Sequence, residues 1–387
     1  RKMAKTNSVD EIYIATDPDR EGEFIAWRLK EIFSDYDSIY RVSFNEITNS
    51  AVQEAIKSPR EIDMDLVDAA KVRRFMDRLV GFRCSRFSRS WNLASMGRVQ
   101  TPTLGFIVER ELERDAHVPI PYHSAKVESN AVSFKVRFHE KDDDEAWKDD
   151  DGKHYPDRTF NRDLAEEAIE QIRNTQELIL ESVNEGKNHR KAQPPFTTES
   201  MLRAANGRMG WSIGRTNRVA TALYQAGHIT YIRTDSTRTS KDARERIRSL
   251  IEKEHGSNHL GDGALGPDAK KEASNVQDAH EAIRPTQPEI KTLSDADSDQ
   301  QSLYRLIWGR FAGSQMSDSI RERRNMVMKV ENLELPLYGT SSWRIHAGWE
   351  AVYSAEKDVK TEPPKIGFEI GTKWTFSSTE DNPLLTS

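Results

Sequence analysis

The 387-residue sequence lacks what several classes of protein require. Its single cysteine, Cys84, excludes a disulfide framework and a zinc site of four thiolates within this stretch. No apolar run is long enough to span a membrane, and no secretory signal peptide is recognisable. No Walker phosphate-binding loop is present, so ATP hydrolysis is not supported. These absences predict a protein of the reducing cytoplasm without a membrane partner.

Charge is unevenly distributed along the chain, although the net charge is only −6. Residues 140–151 hold eight acidic residues and two lysines, and they are predicted to form a solvated loop or hairpin tip. By contrast, residues 71–98 hold eight basic residues against Asp77, and residues 203–248 hold ten against three acidic ones. Two basic segments of this kind indicate a surface that binds nucleic-acid phosphates.

Aromatic residues lie between the arginines of the first basic segment, and two interpretations of them stay open. Unpaired bases could stack on Phe75, Phe82, Phe87 and Trp91. However, the helical spacing of Phe75, Leu79 and Phe82 is also typical of a buried helix face, which is the more common arrangement.

An acidic motif, DPDREGE, begins at Asp17 and directly follows the apolar run IYIAT. The run predicts a buried strand and FIAWRLKEIF predicts a helix, so the motif lies at a strand-to-helix junction. The carboxylates of Asp17, Asp19 and Glu21 suit Mg²⁺, which usually binds one or two protein carboxylates together with water and phosphate oxygens. The alternative is structural: Asp17 and Asp19 cap the helix, and Glu21 and Glu23 interact with its dipole.

A second motif, HITYIRTDST at residues 228–237, alternates apolar and polar residues. On a strand-like backbone, Tyr231, Arg233 and Asp235 share one face. An arginine matches phosphate geometry, and a phenol beside it is a possible nucleophile, so the spacing is typical of an enzyme that forms a phosphotyrosine. The alternative is an ordinary strand aromatic beside a solvated arginine. The independent acidic motif upstream favours the catalytic interpretation.

Together with three further motifs, these segments resemble the type IA DNA topoisomerases. The three are SMGRVQTPTL at residues 95–104, AQPPFTTESML at residues 192–202 and AHEAIRPT at residues 279–286, and they occur in the family's order. The resemblance implies an ATP-independent enzyme that cleaves one DNA strand through a 5′-phosphotyrosyl link. Such an enzyme passes a strand through the break, religates it and relaxes negative supercoils.

The resemblance also implies the residues of the site. Tyr231 would be the nucleophile, and Arg233 would stabilise the charge that develops on the phosphate. His280 would contact the phosphate or Asp235, and Asp235 would orient Arg233 or His280. Mg²⁺ would be held by the three carboxylates of the acidic motif. The residues implied to contact DNA are Arg20, Arg98, Gln100, Thr101, Thr197, Thr198, Arg215 and Arg284, and Arg98 is also a candidate to lower the pKa of the tyrosine.

Composition shifts predict a multidomain α/β + α + β fold. With the domain names that the resemblance implies, the predicted parts are a partial Toprim α/β domain (1–60), a basic helical domain (61–118), a β-rich arch (119–191), a helical tyrosine-bearing domain (192–320) and a return to the arch (321–387). RRNMVMKVENLEL and GWEAVYSAEK in the last part are expected to be strands. The resemblance implies a toroidal body. An earlier Toprim strand with its own glutamate is not in this sequence, so the chain alone is expected not to complete a catalytic cycle.

The implied partner is a single-stranded segment of negatively supercoiled duplex DNA, and the protein is expected to be a monomer associated with the chromosome. Two rival classes stay open. One is another Toprim enzyme, a nuclease or primase, which has no use for Tyr231. The other is an inactive protein that binds single-stranded DNA. The topoisomerase half of a reverse gyrase is less favoured because no helicase motif is present.

Overall fold

The computed structural model describes residues 9–93, 96–140, 143–149, 151–264, 281–353, 359–376 and 378–385. The chain divides into two compact units. The first unit comprises residues 1–112, 191–317 and 348–355, and the second comprises residues 113–190, 318–347 and 356–387. Each unit is therefore assembled from segments that are distant in sequence. The predicted five-part division stays a prediction.

The first unit begins with a small parallel sheet. Strand β1 (Glu11–Ile14) pairs with β2 (Ser38–Arg41), and helix α1 (Arg20–Ile32) connects them. Asp19 caps α1, because its Oδ1 accepts a hydrogen bond from the Gly22 N–H at 2.7 Å. The predicted strand and helix on either side of the acidic motif are thus confirmed. The strand is not fully buried, however, since among its four residues only Ile14 is buried.

Three further helices of this unit follow the sheet. They are α2 (Asn49–Lys57), α3 (Met64–Ser90) and α4 (Gln100–Ala116). Helix α3 carries most of the first basic segment, and its buried residues are only Val67, Ala70 and Ser88. Its aromatic side chains are largely exposed: 63% for Phe75, 70% for Phe82, 63% for Phe87 and 69% for Trp91. The interpretation of these aromatics as a buried helix face is therefore wrong.

The later part of the first unit is a helical cluster around one core. Its helices are α6 (Thr198–Met209), α7 (Ile213–Gln225), α8 (Lys241–His255) and α9 (Ser298–Ser314), with a short 3₁₀ turn at Ser257–His259. Two residues cap these helices: Thr197 accepts the Ser200 N–H at the start of α6, and Gly227 follows α7 with a φ of +75°. The core is filled by large apolar side chains that include Phe196, Met201, Leu223, Tyr304 and Phe311.

The second unit is a seven-stranded sheet with one helix, α5 (Arg162–Thr175). Its strands are β3 (Pro121–Ser129), β4 (Val132–Val136), β5 (Glu177–Arg190), β6 (Ser319–Val330), β7 (Leu333–His346), β8 (Lys373–Thr375) and β9 (Ser378–Leu385). They are arranged in the order β8-β5-β6-β7-β4-β3-β9, and neighbouring strands are antiparallel. The core lies between this sheet and α5 and includes Phe134, Ile169, Ile172, Leu180 and Trp374.

Three expectations about local structure need correction. Part of GWEAVYSAEK forms a 3₁₀ turn, Gly348–Ala351, instead of a strand, and residues 354–358 lie outside the described residues. The tyrosine motif is extended but forms only an isolated bridge, Ile229 with Pro285. The acidic segment is not merely a solvated tip, since Trp147 is fully buried beneath Arg158, whose guanidinium lies 4.6 Å from the Trp147 ring.

In the described ranges, no helix combines the length and the apolar character that crossing a bilayer requires.

Candidate active site

Tyr231 lies in an extended stretch between α7 and α8, residues 227–236, which we call the tyrosine segment. Backbone hydrogen bonds fix this segment from three directions. The Tyr231 N–H donates to the Asn45 carbonyl at 2.8 Å, and the Thr230 N–H donates to the Arg284 carbonyl at 2.9 Å. The Thr198 N–H donates to the Thr234 carbonyl at 2.9 Å. The segment therefore needs no sheet ladder, because three distant parts of the chain satisfy its backbone groups.

The side chain of Thr198 adds to this support. Its Oγ1 lies 2.7 Å from the Ile232 carbonyl and 3.0 Å from the Thr234 carbonyl, and it accepts the Thr234 N–H at 2.9 Å. The neighbouring hydroxyl of Thr197 caps α6. Both threonines were predicted to contact DNA, and in this structure their hydroxyls hold the protein's own backbone.

The phenol of Tyr231 meets the acidic motif directly. Its hydroxyl donates to Oδ2 of Asp19 at 2.7 Å, and Nη1 of Arg233 lies 3.5 Å from the same oxygen. Tyr231 is only 4% exposed, whereas the side chain of Arg233 is 68% exposed. The other oxygen of Asp19 caps α1. Asp19 thus caps the helix, as the structural alternative has it, and with its other oxygen it accepts the hydrogen bond of Tyr231.

The surroundings hold the phenol in its protonated form. Burial raises the pKa of Tyr231 far above its ordinary value, and the hydrogen bond to Asp19 and the charges of Asp19 and Asp17 raise it further. Arg233 lowers the pKa of Tyr231, but this is the smallest of the effects. A positive charge near the two carboxylates would therefore favour ionisation of the phenol.

The two carboxylates respond in opposite ways. Burial and the neighbouring charge of Asp19 raise the pKa of Asp17. Burial alone would also raise the pKa of Asp19, but hydrogen bonds from Tyr231 and Gly22 together with the charge of Arg233 outweigh it and lower that pKa. The ionised form of Asp19 is therefore favoured, and in this form it accepts the hydrogen bond of the phenol. The ionised form of Asp17 is disfavoured.

A second phenol, Tyr224, packs against the first. The ring centroids of Tyr224 and Tyr231 are 5.3 Å apart at an interplanar angle of 67°, an edge-to-face arrangement. Burial and the charges of Asp17 and Asp19 raise the pKa of Tyr224 to about 12. The sequence analysis missed this residue, because an aromatic near the end of an amphipathic helix is indistinguishable from an ordinary core residue.

A buried ion pair, which the sequence analysis also missed, supports the acidic loop, residues 15–19 between β1 and α1. Arg41 donates from Nε to Oε1 of Glu23 at 2.9 Å, from Nη1 to the Thr16 carbonyl at 2.9 Å and from Nη2 to the Asp17 carbonyl at 3.0 Å. Arg60 also pairs with Glu23. Glu23 lies in the first turn of α1, as the structural alternative has it, and its side chain is fully buried against two arginines.

Gly22 permits the close packing of this loop. A Cβ at this position would lie 2.0 Å from the Asp17 carbonyl oxygen, a distance that no side chain could occupy. The glycine of the motif is thus required by the approach of α1 to the acidic loop.

The metal-binding prediction concerns Asp17, Asp19 and Glu21. Among the described residues, no three His, Cys, Asp or Glu side chains are grouped so that they could hold one metal ion. Asp17 and Asp19 interact electrostatically, whereas Glu21 lines a cavity of about 210 Å³ between α1 and α3. Two neighbouring carboxylates without a third ligand fit Mg²⁺, which commonly takes its other ligands from water and phosphate. A site with all three carboxylates is not formed in this structure.

Three of the residues predicted to contact DNA have carboxylate partners instead. Nε of Arg98 lies 2.6 Å from Asp77, and Arg215 binds both oxygens of Asp299 at 2.9 and 2.7 Å. Arg284 is only 4% exposed and donates from Nε to Glu281 at 2.8 Å. The DNA contacts of these residues stay predictions.

Four further predicted residues occupy other settings. Thr101 accepts the Gly97 N–H at 3.2 Å, Gln100 is exposed at the start of α4, and Nε of Arg20 is buried at the start of α1. Asp235 is exposed, and the carboxylate that Arg233 contacts is Asp19. His280 lies outside the described residues.

Comparison with known proteins identifies the family of this chain. The model of the DNA topoisomerase family matches residues 61–382, and the model of the Toprim domain matches residues 1–47. DNA topoisomerase 1 of Thermotoga maritima is 35% identical over 376 residues, which cover 93% of this chain and 55% of that protein. DNA topoisomerase 1 of Escherichia coli K12 is 34% identical over 340 residues, which cover 85% of this chain and 37% of that protein.

A solved structure is similar over the whole chain. The structure of full-length topoisomerase I from Thermotoga maritima matches with a TM-score of 0.79 and 31% identity, covering 100% of this chain and 61% of that one. This similarity supports a mixed α/β multidomain architecture. The chain spans about half or less of the length of the two relatives, at 55% and 37%.

Proposed function

Since the chain belongs to the DNA topoisomerase family, we propose that it provides the strand-cleaving site of a type IA enzyme. The observation that carries the proposal is the meeting of a buried phenol, an aspartate and an exposed arginine. Tyr231 donates to Asp19 at 2.7 Å, and Arg233 stands beside the same carboxylate. A phenol next to an accessible guanidinium is the arrangement that attack on a phosphodiester requires.

In the proposed reaction, the Tyr231 oxygen attacks the phosphorus of one strand and its proton is released to solvent. The P–O3′ bond breaks, the 5′ end becomes a phosphotyrosyl ester, and the 3′ oxygen leaves and takes up a proton. Arg233 stabilises the charge that develops on the phosphate. Because one phosphoester replaces another, religation is the reverse attack of the 3′ hydroxyl and requires no ATP.

The same acidic loop is the proposed Mg²⁺ site. Asp17 and Asp19 would hold the ion. The third carboxylate of the motif, Glu21, lines the cavity between α1 and α3 and is not grouped with them in this structure. When bound, the ion supplies positive charge that offsets the two carboxylates and helps to align the cleaved ends. The charges that hold Tyr231 protonated are those of Asp19 and Asp17, so the chain's own residues make the phenol responsive to a nearby cation.

The proposed substrate is a single-stranded segment of DNA. Helix α3 supports this, because exposed aromatic side chains alternate with arginines along it, and the Arg78 guanidinium lies 5.8 Å from the Phe82 ring. Stacking of bases on aromatics beside a basic phosphate track is typical of single-strand binding. Relaxation of negative supercoils, the monomeric state and the chromosomal location stay predictions.

Formation of a covalent adduct tests the function. The protein is incubated with a labelled single-stranded oligonucleotide, denatured and separated by electrophoresis. The expected result is a labelled band for the wild type, which disappears in Tyr231→Phe while single-strand affinity stays within a few-fold. A labelled band that persists in Tyr231→Phe contradicts the proposal. Cleavage of the oligonucleotide without any adduct, as a nuclease would produce, also contradicts it. Binding without adduct or breaks would indicate an inactive DNA-binding protein.

A further inference from the structure

The loop that connects β2 to α2 contacts the tyrosine segment through residues 45 and 47, and it contacts Arg284 through residue 46. The Asn45 carbonyl accepts the Tyr231 N–H at 2.8 Å. Oε2 of Glu46 lies 3.1 Å from Nη2 of Arg284. A Cβ at Gly227 would lie 2.5 Å from the Ile47 carbonyl oxygen, so no larger residue fits there. The 45–47 loop therefore packs closely against the tyrosine segment.

Arg284 contacts both the residue before the tyrosine and the 45–47 loop. Its backbone N–H donates to Oγ1 of Thr230 at 2.9 Å, and its carbonyl accepts the Thr230 N–H at 2.9 Å. Its guanidinium, 5% exposed, reaches Glu46, the residue after the one whose carbonyl binds the Tyr231 N–H. Arg284 thus binds Thr230 through its main chain and the 45–47 loop through its side chain.

The loop is also coupled to the acidic motif. Arg41 ends β2 shortly before the loop, and its guanidinium binds the carbonyls of Thr16 and Asp17. The 45–47 loop is therefore connected to the acidic loop by the short stretch of chain that follows Arg41 and by the hydrogen bonds of the Arg41 guanidinium. Consequently, the packing of the 45–47 loop against the tyrosine segment helps to set the distance between Asp19 and the phenol of Tyr231.

We propose that Arg284 is a positioning residue, which through its ion pair with Glu46 holds the acidic motif in register with Tyr231. The proposal deepens the proposed function and rests on it for its catalytic part. Arg284 acts through Glu46 and Thr230. Oε2 of Glu46 is buried and has no aligned hydrogen bond in the described part of the chain, so the contact is mainly Coulombic and depends on the charge of Glu46.

The chain offers a matched control in Glu281, the second carboxylate on the same guanidinium. Its Oε2 lies 2.5 Å from Nη2 of Arg284, and its side chain is 20% exposed, compared with 22% for Glu46. Glu281 belongs to the same stretch as Arg284, whereas Glu46 belongs to the loop across from it. Glu46→Gln and Glu281→Gln therefore remove the same charge at similar burial, but only the first weakens the contact between the two segments.

Amide hydrogen exchange at residue resolution, measured without DNA, reads the coupling directly. In Glu46→Gln the Tyr231 amide should exchange on the order of tenfold faster, since a contact with a charged group is lost, while the Thr230 amide stays within about twofold. In Glu281→Gln both amides should keep the wild-type rate. Equal acceleration of Tyr231 in the two variants, or parallel acceleration of Tyr231 and Thr230 in Glu46→Gln, overturns the proposal.

Adduct formation supplies the catalytic part of the test. Glu46→Gln should slow the rate of adduct formation at saturating oligonucleotide without changing the concentration needed for half-saturation, and Glu46→Asp, which keeps the charge, should restore part of the rate. A change in half-saturation alone would mean that Glu46 serves DNA binding, which contradicts a positioning role. Failure of the wild type to form an adduct would refute the proposed function, while the exchange result would still decide the coupling.

Discussion

Tyr231 donates its phenolic hydrogen bond to Oδ2 of Asp19 at 2.7 Å, across 212 positions of sequence. The same aspartate caps α1 with its other oxygen. The nucleophile of the proposed reaction and the first turn of the acidic helix are thus linked through one carboxylate. The charge state of Asp19 affects both the reactivity of the phenol and the stability of the loop.

Asp19→Asn should lower the pKa of Tyr231. The pKa of this phenol is raised by burial first, then by the hydrogen bond and charge of Asp19, and less by Asp17. The amide removes the charge and keeps an acceptor oxygen, so the phenolate becomes less unfavourable. Difference absorbance of tyrosinate, wild type against Tyr231→Phe in each background, measures the shift. Asp17→Asn is the control, and an effect there as large as that of Asp19→Asn would contradict this assignment.

Alkaline pH should destabilise the folded protein partly through Tyr231. A raised folded-state pKa means that the contribution to stability is fully present below the unfolded pKa of about 10 and is lost as the pH rises above it. Tyr231→Phe should therefore lose less thermal stability than the wild type between pH about 9 and about 11. Tyr338→Phe, at a side chain that is 40% exposed, serves as the control. An identical alkaline loss in wild type and Tyr231→Phe would refute the prediction.

Arg233→Ala should slow adduct formation far more than it weakens single-strand binding. Its guanidinium is 68% exposed beside the Asp19 carboxylate, where it can stabilise charge on a phosphate. Removal of a positioned charge at a transition state costs on the order of 10²–10³ in rate. Arg246→Ala is the control, because Arg246 binds Glu289 on the surface. Equal losses at both sites would indicate a nonspecific phosphate track.

Thr198→Val should destabilise the tyrosine segment. The valine keeps the shape but leaves the Thr234 N–H and the Ile232 carbonyl without the hydroxyl, which costs about 1–3 kcal/mol. Thr221→Val removes a hydroxyl that bonds only to a carbonyl of its own helix and serves as the control. Chemical denaturation measures both free energies of unfolding. A Thr198→Val protein as stable as Thr221→Val would show that the hydrogen bonds of the Thr198 hydroxyl do not stabilise the fold.

Glu23→Gln should be among the more destabilising changes in the acidic motif. It leaves Arg41, whose side chain is 1% exposed, buried without a counter-charge. Loss of one partner of a buried pair costs about 3–5 kcal/mol. Glu31→Gln, in an exposed pair with Arg28, should cost less than about 1 kcal/mol. Comparable unfolding free energies for the two variants would mean that the buried pair contributes little.

The sequence by itself determined the local elements and the motifs that carry the acidic, basic and phenolic groups. The caps at Asp19, Thr197 and Gly227 follow from residue type, because capping is satisfied within a few residues. The order of the motifs likewise carries the family, and the family model matches residues 61–382. A tyrosine two residues before an arginine is visible in the sequence.

Tertiary structure alone decided which of those side chains are exposed, which are buried and which contact one another. Whether an arginine faces solvent, as Arg233 does, or is buried against carboxylates, as Arg284 and Arg41 are, depends on contacts between residues far apart in the chain. The same holds for the separation of Glu21 from Asp17 and Asp19 and for the packing of Tyr224 on Tyr231. Periodicity records only which face of an element is apolar, and it contains no information about which distant segment covers that face.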